Sequence, residues 1–186
     1  MSYRYTEKDR EKFEVPAEEL APWLIGKVLC RQLPTGEVLR FRITETEAYG
    51  DKDSACHANK YKTGNAVITQ RMTGGTIYVH YRNNDYQGSS FDIVAGKEVE
   101  AESVLIRGAI NLDTEDEYNQ IRLLGEALHM DYETLNQTNI LISAEIWLEC
   151  DGFDTEGKIH REKRIGLDAD DIMPEDKCAL RRYILK

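Results

Sequence analysis

Short apolar stretches, several of them alternating with polar positions, recur along the chain between turn signals, which is typical of β-strands. Turn signals lead into two of them: Pro34-Thr-Gly36 lies ahead of residue 37, and the Gly74-Gly75 pair lies ahead of Thr76-Ile-Tyr-Val. Strands are therefore predicted over the following segments: residues 27–33, 37–49, 76–79, 103–109, 140–150 and 178–185.

Helical patterning is confined to two stretches. Pro16 followed by glutamates is typical of a helix start, and Gly26 is a suitable end. Over residues 113–129 acidic residues come first, and apolar residues then recur at helical spacing from Ile121 onward, which predicts a second helix. Two polar segments between these elements are predicted to be loops: residues 50–66 and 83–90.

These elements predict a single α+β domain. Many strands with a few helices in a non-repeating order favour a curved, largely antiparallel sheet flanked by helices. The 186 residues suit one compact domain with a sizeable core. Residues 1–12 are strongly charged and are expected to form a flexible tail, which leaves residues 13–186 as the domain.

Composition narrows the class of protein. Hydrophobic residues make up 41% and charged residues 31% of the sequence, as expected for an ordered globular protein. No apolar run approaches the roughly 18 residues needed to cross a membrane, and the charged start of the chain lacks the apolar stretch of a secretory signal. The expected location is the cytoplasm, in association with the nucleoid if the source is bacterial.

The four cysteines are far apart and form no C-x-x-C pair. Reduced thiols are therefore expected rather than a disulfide framework. A zinc site at Cys56 and His57 is disfavoured, because adjacent ligands suit tetrahedral zinc poorly and no second ligand pair is present. No metal and no other cofactor is expected.

The formal net charge of −10 argues against binding a polyanion, because a negative body repels phosphates at long range. The charges are clumped, however. Acids cluster at residues 113–117 and 168–176, whereas bases cluster at Arg40 with Arg42, at Lys60 with Lys62, and over 158–164. Two interpretations stay open: a basic face that holds a duplex weakly and with strong salt dependence, or ordinary solvated charges.

The segment Ile43-Thr-Glu45-Thr-Glu47-Ala-Tyr49 carries the candidate chemistry. Residues two apart in a strand share a face, so Glu45, Glu47 and Tyr49 are expected to line one surface. Neighbouring carboxylates raise one another's pKa, which suits a general base. The alternative is a solvent-facing strand with alternating polarity.

The string Glu45-Thr-Glu47-Ala-Tyr49 resembles the active-site strand of the alkyladenine (3-methyladenine) DNA glycosylase family. Other similarities to this family follow in the same order: Leu20-Ala-Pro-Trp-Leu-Ile-Gly-Lys-Val-Leu before the strand, and after it Asp53-Ser-Ala-Cys-His57, Asn65-Ala-Val67, Gly75-Thr-Ile-Tyr78-Val, Val104-Leu-Ile-Arg107, Trp147-Leu-Glu with Asp151-Gly152, and Arg164-Ile-Gly166. Each motif alone is weak, but the ordered set from Leu20 to Tyr183 is specific. The chain is identified as a divergent member of this family.

The resemblance implies a single-domain fold, a nucleotide flipped out of the duplex, and hydrolysis without a metal or a covalent intermediate. Glu47 matches the carboxylate that deprotonates a water for attack at the sugar C1′, where an oxocarbenium-like transition state gains from negative charge. Tyr49 and His57 match residues that stack on, or hydrogen-bond to, the extruded base. Arg107 matches the arginine that holds the water or the backbone beside the glutamate. An ordinary strand arginine paired with an acid is the alternative.

The sequence departs from the family pattern in the base pocket. Tyr78-Val-His80 stands where the family has Tyr-Val-Tyr, so one predicted pocket ring is an imidazole whose charge depends on pH. Asp92 aligns with a pocket asparagine and cannot donate a hydrogen bond when ionised. His80 and Asp92 are therefore predicted to contact the base and to alter which base is chosen.

The residues expected to contact DNA also differ from the family pattern. The family's Tyr-Gly turn, whose tyrosine wedges into the duplex, is replaced by a longer stretch. Three side chains of this stretch are predicted to bind DNA, and either tyrosine could be the wedge: Tyr81, Arg82 and Tyr86. Gly64 replaces an arginine, and Leu124-Gly-Glu-Ala127 lacks the lysine of a family contact motif.

The predicted function is a monofunctional glycosylase for base-excision repair. It would hydrolyse the N-glycosidic bond of an alkylated or deaminated purine in double-stranded DNA and act as a monomer. Zinc nucleobase deaminases need H-x-E with P-C-x-x-C, and the sequence contains neither. An O-glycoside hydrolase would use two carboxylates across a sugar, and Glu45 with Glu47 could meet that spacing, but nothing else in the sequence supports a sugar cleft. The main rival is a catalytically degenerate member of the family that acts as a binding or accessory domain.

Overall fold

The computed structural model describes residues 2–61, 64–80 and 89–186, and the described strands form one antiparallel sheet curled into a half-barrel. In chain order the strands are β1 Tyr3–Arg4, β2 Val28–Gln32, β3 Val38–Tyr49, β4 Ile77–Val79, β5 Phe91–Val94, β6 Ser103–Asn111, β7 Glu117–Tyr118, β8 Ile146–Cys150, β9 Ile159–Glu162 and β10 Arg182–Leu185. A 3-10 helix covers Glu7–Lys12, and the α-helices are α1 Ala17–Leu24, α2 His57–Lys60, α3 Asn65–Thr69, α4 Ile121–Ala127, α5 Tyr132–Leu135 and α6 Pro174–Cys178. The predicted α+β fold is confirmed.

The helices in these described ranges are too short and too polar to span a membrane.

Strand β3 is the longest strand and organises the sheet. One of its edges pairs with β6, and the other edge pairs first with β2 and then with β10. The sheet runs in the order β1-β8-β2-β3-β6-β5-β4, with β10 and β9 branching from β3 and β7 added to β6. The last residues of β3 therefore lie between strands that come from distant parts of the sequence.

A β-bulge in β3 changes which face each residue serves. The register with β6 shifts between Ile43 and Glu45 and again before Thr46. Phe41 and Ile43 before the bulge, and Ala48 after it, belong to the main core. Because a bulge adds one residue to the strand, the side chains that follow it switch to the opposite face of the sheet. The other face of the strand beyond the bulge is formed by the three residues singled out in the sequence: Glu45, Glu47 and Tyr49.

Helix α1 covers the core face of the sheet. Its Leu20 and Leu24 are fully buried in the same cluster as Ile43 and Ile106 from β3 and β6. The Thr46 hydroxyl adds a hydrogen bond of 2.9 Å to a carbonyl oxygen of the helix. Each fully buried aliphatic side chain stabilises the fold by about 1.5–3 kcal/mol, so the end of β3 is held firmly from behind.

The described residues before position 13 are not a flexible tail, and that prediction is wrong. Strand β1 pairs with β8, and Tyr5 is only 6% exposed. The Tyr5 ring packs edge-on against Phe13 at 6.3 Å and Trp23 at 5.1 Å. Burial of this aromatic cluster offsets the entropy lost in ordering a charged segment.

The single helix predicted over residues 113–129 is also wrong for its first half. Helix α4 begins only at Ile121, and the preceding residues form a turn and β7. Asn111 Oδ1 accepts the N–H of Asp113 at 2.9 Å, and Glu115 has a φ of 63° in the left-handed region. Such side-chain hydrogen bonds give the backbone an alternative to the helix.

Other boundaries differ more modestly. The predicted loop over residues 50–66 contains α2 and the start of α3, and strand β10 begins four residues after α6 ends at Cys178. Strands β5 and β9 are missing from the sequence prediction. Both have four residues, and such short segments offer too few positions for a period to be recognised.

Candidate active site

The face of β3 that carries Glu47 opens into a pocket of about 450 Å³. This volume lies within the range of small-molecule sites. The walls come from strands β3, β5 and β6, from His80 just after β4, from α2, and from the loop that follows β9. Six residues predicted as site residues from the sequence line it: Glu47, Tyr49, His57, His80, Asp92 and Arg107.

The Glu47 carboxylate lies in the pocket wall and is 0% exposed to bulk solvent. The Tyr49 hydroxyl donates to its Oε2 at 2.8 Å, and the backbone N–H of Ile165 donates to its Oε1 at 2.8 Å. Arg107 Nη1 lies 3.6 Å from Oε1. Two hydrogen bonds, one from β3 itself and one from the loop after β9, therefore fix the orientation of this carboxylate, with the Arg107 cation of β6 close by.

Burial raises the pKa of the Glu47 carboxyl, and Arg107, the Ile165 N–H and the Tyr49 hydroxyl offset part of that rise. The direction agrees with the sequence-based expectation, but the cause does not. Glu45, the neighbour expected to raise the pKa, is paired with cations. Desolvation of a carboxylate disfavours its charged form, which suits a group that has to accept a proton.

Glu45 lies between two arginines. Its Oε1 accepts from Nε of Arg107 at 2.9 Å and from Nε of Arg182 at 2.6 Å. Arg107 therefore combines the two interpretations that the sequence left open, since it pairs with an acid and also reaches toward Glu47 through Nη1. Arg182 belongs to β10 and is not singled out by any sequence pattern.

Two rings in the pocket wall, His57 and His80, pack against each other and against Tyr78. The His80 ring centroid lies 4.7 Å from that of Tyr78 and 4.8 Å from that of His57. His57 Nδ1 is within hydrogen-bonding distance of the Tyr78 hydroxyl, at 3.2 Å. His80, the departure from the family pattern, therefore keeps a polarisable ring at this position, tilted by 51° from His57 and by 39° from Tyr78.

Asp92 holds His80 in place. Its Oδ1 lies 2.8 Å from Nε2 of His80, and its Oδ2 accepts from the Ser103 hydroxyl at 2.7 Å and from Gln70 Nε2 at 3.2 Å. Burial alone would raise the pKa of Asp92, but His80, His57 and the Ser103 hydroxyl outweigh it and the pKa is lowered. Asp92 is therefore an ionised acceptor.

The DNA-contact residues predicted from the sequence, Tyr81, Arg82 and Tyr86, lie outside the described residues. The described mouth of the pocket includes Tyr61, which is 47% exposed, and Ile165, which is 48% exposed. Lys60 lies beside them and pairs with Asp171 at 3.2 Å. The described part of the opening therefore carries two exposed apolar side chains beside one charged pair.

Within the ranges that the structure covers, no group of three His, Cys, Asp or Glu side chains is arranged to hold a metal ion. The Cys56 thiol lies 3.3 Å from the carbonyl oxygen of Ala101 and 3.7 Å from Gln70 Oε1. Burial raises the pKa of this thiol to about 12. Cys56 is therefore a neutral packing group beside the pocket.

The sequence analysis missed several residues that shape the site. Gln70 bridges the backbone N–H of Ala58 and the side chains of Asp92 and Ser103. The loop that follows β9 contributes Ile165. The Arg164-Ile-Gly166 motif marks this loop in the sequence, but nothing in the motif shows that the loop reaches β3.

Comparison with known proteins supports the resemblance seen in the motifs. The family model of methylpurine-DNA glycosylase (MPG) matches residues 11–186. A "Putative 3-methyladenine DNA glycosylase" of Psychrobacter cryohalolentis is 31% identical to this chain, over 84% of this chain and 82% of that protein. A protein of the same printed name from Natranaerobius thermophilus is 32% identical, over 86% of this chain and 87% of that protein.

A human relative is also similar over part of its length. The "DNA-3-methyladenine glycosylase" of Homo sapiens is 34% identical over 60% of this chain and 37% of that protein. Because the family model covers all but the first ten residues, the resemblance inferred from the ordered motifs is confirmed. This chain belongs to the methylpurine-DNA glycosylase family.

Proposed function

We propose that this protein is a DNA repair glycosylase that hydrolyses the N-glycosidic bond of an alkylated or deaminated purine in double-stranded DNA and leaves an abasic site. Membership of the methylpurine-DNA glycosylase family supports the reaction class. The observation that carries the proposal is the buried Glu47 carboxylate in the wall of a pocket lined by rings.

In this reaction Glu47 is the general base. Its ionised form accepts a proton from a water that attacks C1′ of the sugar, and its negative charge stabilises the oxocarbenium-like transition state. The carboxylate is closed off from bulk solvent, so a neighbouring group has to move before the attacking water reaches it. Arg107 Nη1, at 3.6 Å and not yet in hydrogen-bonding contact with Glu47, is the group best placed to yield to that water.

The flipped purine stacks against the rings of His57 and His80, with Tyr49 and Asp92 at its edges. Stacking of a base on a ring contributes about 1–3 kcal/mol, which helps offset the cost of extruding a nucleotide. Asp92 offers only acceptors and is committed to His80, Ser103 and Gln70. Asp92 therefore acts on the base through the His80 ring, whose Nε2 lies 2.8 Å from Asp92 and whose Nδ1 lies 3.0 Å from the Ser90 hydroxyl, rather than through a free amide.

The reaction is monofunctional in this proposal. A covalent route would need an amine that forms a Schiff base with the sugar. Among the described lining residues the one lysine is Lys60, at the mouth and paired with Asp171. Hydrolysis by an activated water needs no such amine and no cofactor.

Few groups are proposed to bind the DNA, and acidic charge near the pocket opposes its phosphates. Tyr81, Arg82 and Tyr86 are the proposed contacts to the duplex gap. The exposed acids that follow Ile165 in the loop after β9, together with the net charge of −10, oppose phosphates near the mouth. We therefore expect a monomer that binds duplex weakly, with an affinity that falls steeply as salt is raised.

The test uses duplexes that each carry one 3-methyladenine, 7-methylguanine or hypoxanthine. Alkali converts abasic sites into strand breaks, so wild-type protein should produce breaks at the damaged purine and Glu47→Gln should produce none above background. Asp151→Asn is the matched control, because this carboxylate pairs with Arg42 away from the pocket. Duplex binding by the wild type without breaks on any of the three substrates would instead identify the degenerate binding protein.

A further inference from the structure

Arg164 is buried behind the pocket and is 5% exposed. Its guanidinium carbon lies 4.5 Å from the centre of the Tyr49 ring. Its Nη1 donates to the carbonyl oxygen of Ala48 at 2.8 Å. The next residue in the chain is Ile165, whose N–H donates to Glu47. One buried cation is therefore connected to both hydrogen-bond donors of the Glu47 carboxylate.

Asp53 holds this cation from the other side. Nη1 and Nη2 of Arg164 donate to the two carboxylate oxygens of Asp53, with Nη2 at 3.1 Å from Oδ1. Nη2 also donates to the carbonyl oxygen of Asp176 at 3.1 Å. Such a bidentate pair fixes the plane of the guanidinium. The Arg164–Asp53 pair therefore connects the loop after β3 with the loop after β9.

We propose that Arg164 is the positioning residue for the Glu47 carboxylate, fixing the phenol of Tyr49 through ring stacking and the N–H of Ile165 through the chain, with Asp53 holding Arg164. The inference rests on the proposed role of Glu47 as the base. Arg164 does not touch the substrate in this scheme. Its buried Nε has no hydrogen-bond partner among the described residues, so this arginine is not placed to make the most hydrogen bonds.

The electrostatics agree with the geometry. Burial raises the pKa of Glu47, and the cation of Arg164 is one of the groups that counteract the rise. The other titratable or charged groups around Glu47 come from each element that packs near it: Glu45 and Tyr49 on β3, Arg107 on β6, Arg182 on β10, Asp92 on β5, His80 after β4 and His57 on α2.

Loss of the Arg164 charge and of its contacts moves the Glu47 pKa in one direction. The ionised carboxylate loses a nearby cation, and Tyr49 and Ile165 are no longer fixed as donors. Both changes disfavour the charged form, so the pKa rises. A residue that served only to stabilise the fold would lower the melting temperature without moving this titration.

The experiment follows the Glu47 side-chain carboxyl by NMR in full-length protein labelled with ¹³C-glutamate, with Glu47→Gln used to assign the signal. In Arg164→Gln the titration midpoint should move up by about one pH unit relative to the wild type. In Arg164→Lys, which keeps the charge, it should move by less than half as much. Arg181→Gln is the matched control, because Arg181 Nη1 also approaches Asp53, at 3.4 Å, but neither stacks on Tyr49 nor adjoins Ile165.

Two results would overturn the inference: an unchanged midpoint in Arg164→Gln, or an equal shift in Arg181→Gln. If Arg164→Gln does not fold, Asp53→Asn replaces it, and an unmoved midpoint there counts against the proposal in the same way. Because this readout needs no turnover, it is distinguishable from the proposed function. A shift in protein that forms no abasic sites would uphold the positioning and reject the glycosylase reaction.

Discussion

The Tyr49 hydroxyl donates a hydrogen bond of 2.8 Å to Oε2 of Glu47, two positions earlier on the same strand. This bond stabilises the ionised carboxylate and disfavours the protonated one. In the proposed reaction, the bond offsets part of the pKa rise that burial imposes on the Glu47 carboxyl. In that proposal Tyr49 tunes the acid–base chemistry of Glu47 and also lines the pocket wall.

Tyr49→Phe should therefore move the acid limb of the rate profile to higher pH. Glu47 has to be ionised to accept a proton, so activity is lost as pH falls through its pKa. Removing the donor raises that pKa further, by about half a unit to one unit. Single-turnover excision rates between pH 5 and 9 measure the shift. Tyr183→Phe, whose hydroxyl donates to the Glu18 carbonyl oxygen instead, should leave the limb in place.

The two arginines on Glu45 should differ in their effect on turnover. Arg107→Gln removes the cation that lies 3.6 Å from Glu47, and we expect the excision rate to fall by about 10- to 100-fold. Arg182→Gln breaks the same kind of pair with Glu45 but leaves Arg107 in place. It should reduce the rate by less than about threefold. Comparable losses in the two variants would show that Arg107 acts only as a structural ion pair.

Glu45 and Glu47 should also differ in stability. The folded-state pKa of Glu47 is raised, so its ionised form destabilises the fold above the unfolded-state pKa of about 4.3. Glutamine can accept from Ile165 and donate to the Tyr49 oxygen. Glu47→Gln should therefore be at least as stable as the wild type at pH 7, with the difference shrinking toward pH 4.

Glu45→Gln should show the opposite sign. It removes the negative charge that Arg107 and Arg182 share and leaves them a neutral acceptor, and the free energy of unfolding should fall by about 1–3 kcal/mol. Urea denaturation at pH 7 and pH 4 measures both variants. A large destabilisation by Glu47→Gln at pH 7 would contradict this account of the site.

Asp92 should stabilise the fold at neutral pH. Its folded-state pKa is lowered, so its contribution is present above the unfolded-state pKa of about 3.9 and is lost as pH falls through the folded-state value. Asp92→Asn should cost about 1–3 kcal/mol at pH 7, and the difference should shrink below pH 4. Asp151→Asn is the comparison. Its pKa is lowered to about 2 by Arg42, but the pair is partly solvated and should contribute less than about 1 kcal/mol.

The sequence predicts the strands of the sheet well where a long period or a turn signal is present, as in β3 and β6. It predicts that Glu45, Glu47 and Tyr49 share a face, and they do. It does not predict the bulge that separates this face from the core positions Phe41 and Ile43. Bulges depend on pairing with another strand, which a local pattern does not contain.

The rest of the site escapes prediction for a similar reason. Ile165 and Arg164 act through a backbone N–H and a buried guanidinium that approach β3 from residues more than a hundred positions away. Tyr5 orders the segment before residue 13 by packing against Phe13 and Trp23. Contacts between residues far apart in the sequence can order a polar segment that its own composition predicts to be flexible.

The most direct test of the central claim is the single-turnover excision rate on duplex containing one 3-methyladenine, measured for the wild type, Glu47→Gln and Glu45→Gln after each variant is shown to be folded. The account predicts that Glu47→Gln excises the base about a thousandfold more slowly than the wild type. Glu45→Gln, although less stable, should retain most of the wild-type rate per folded molecule. Excision by Glu47→Gln at the wild-type rate would contradict the assignment of Glu47 as the base.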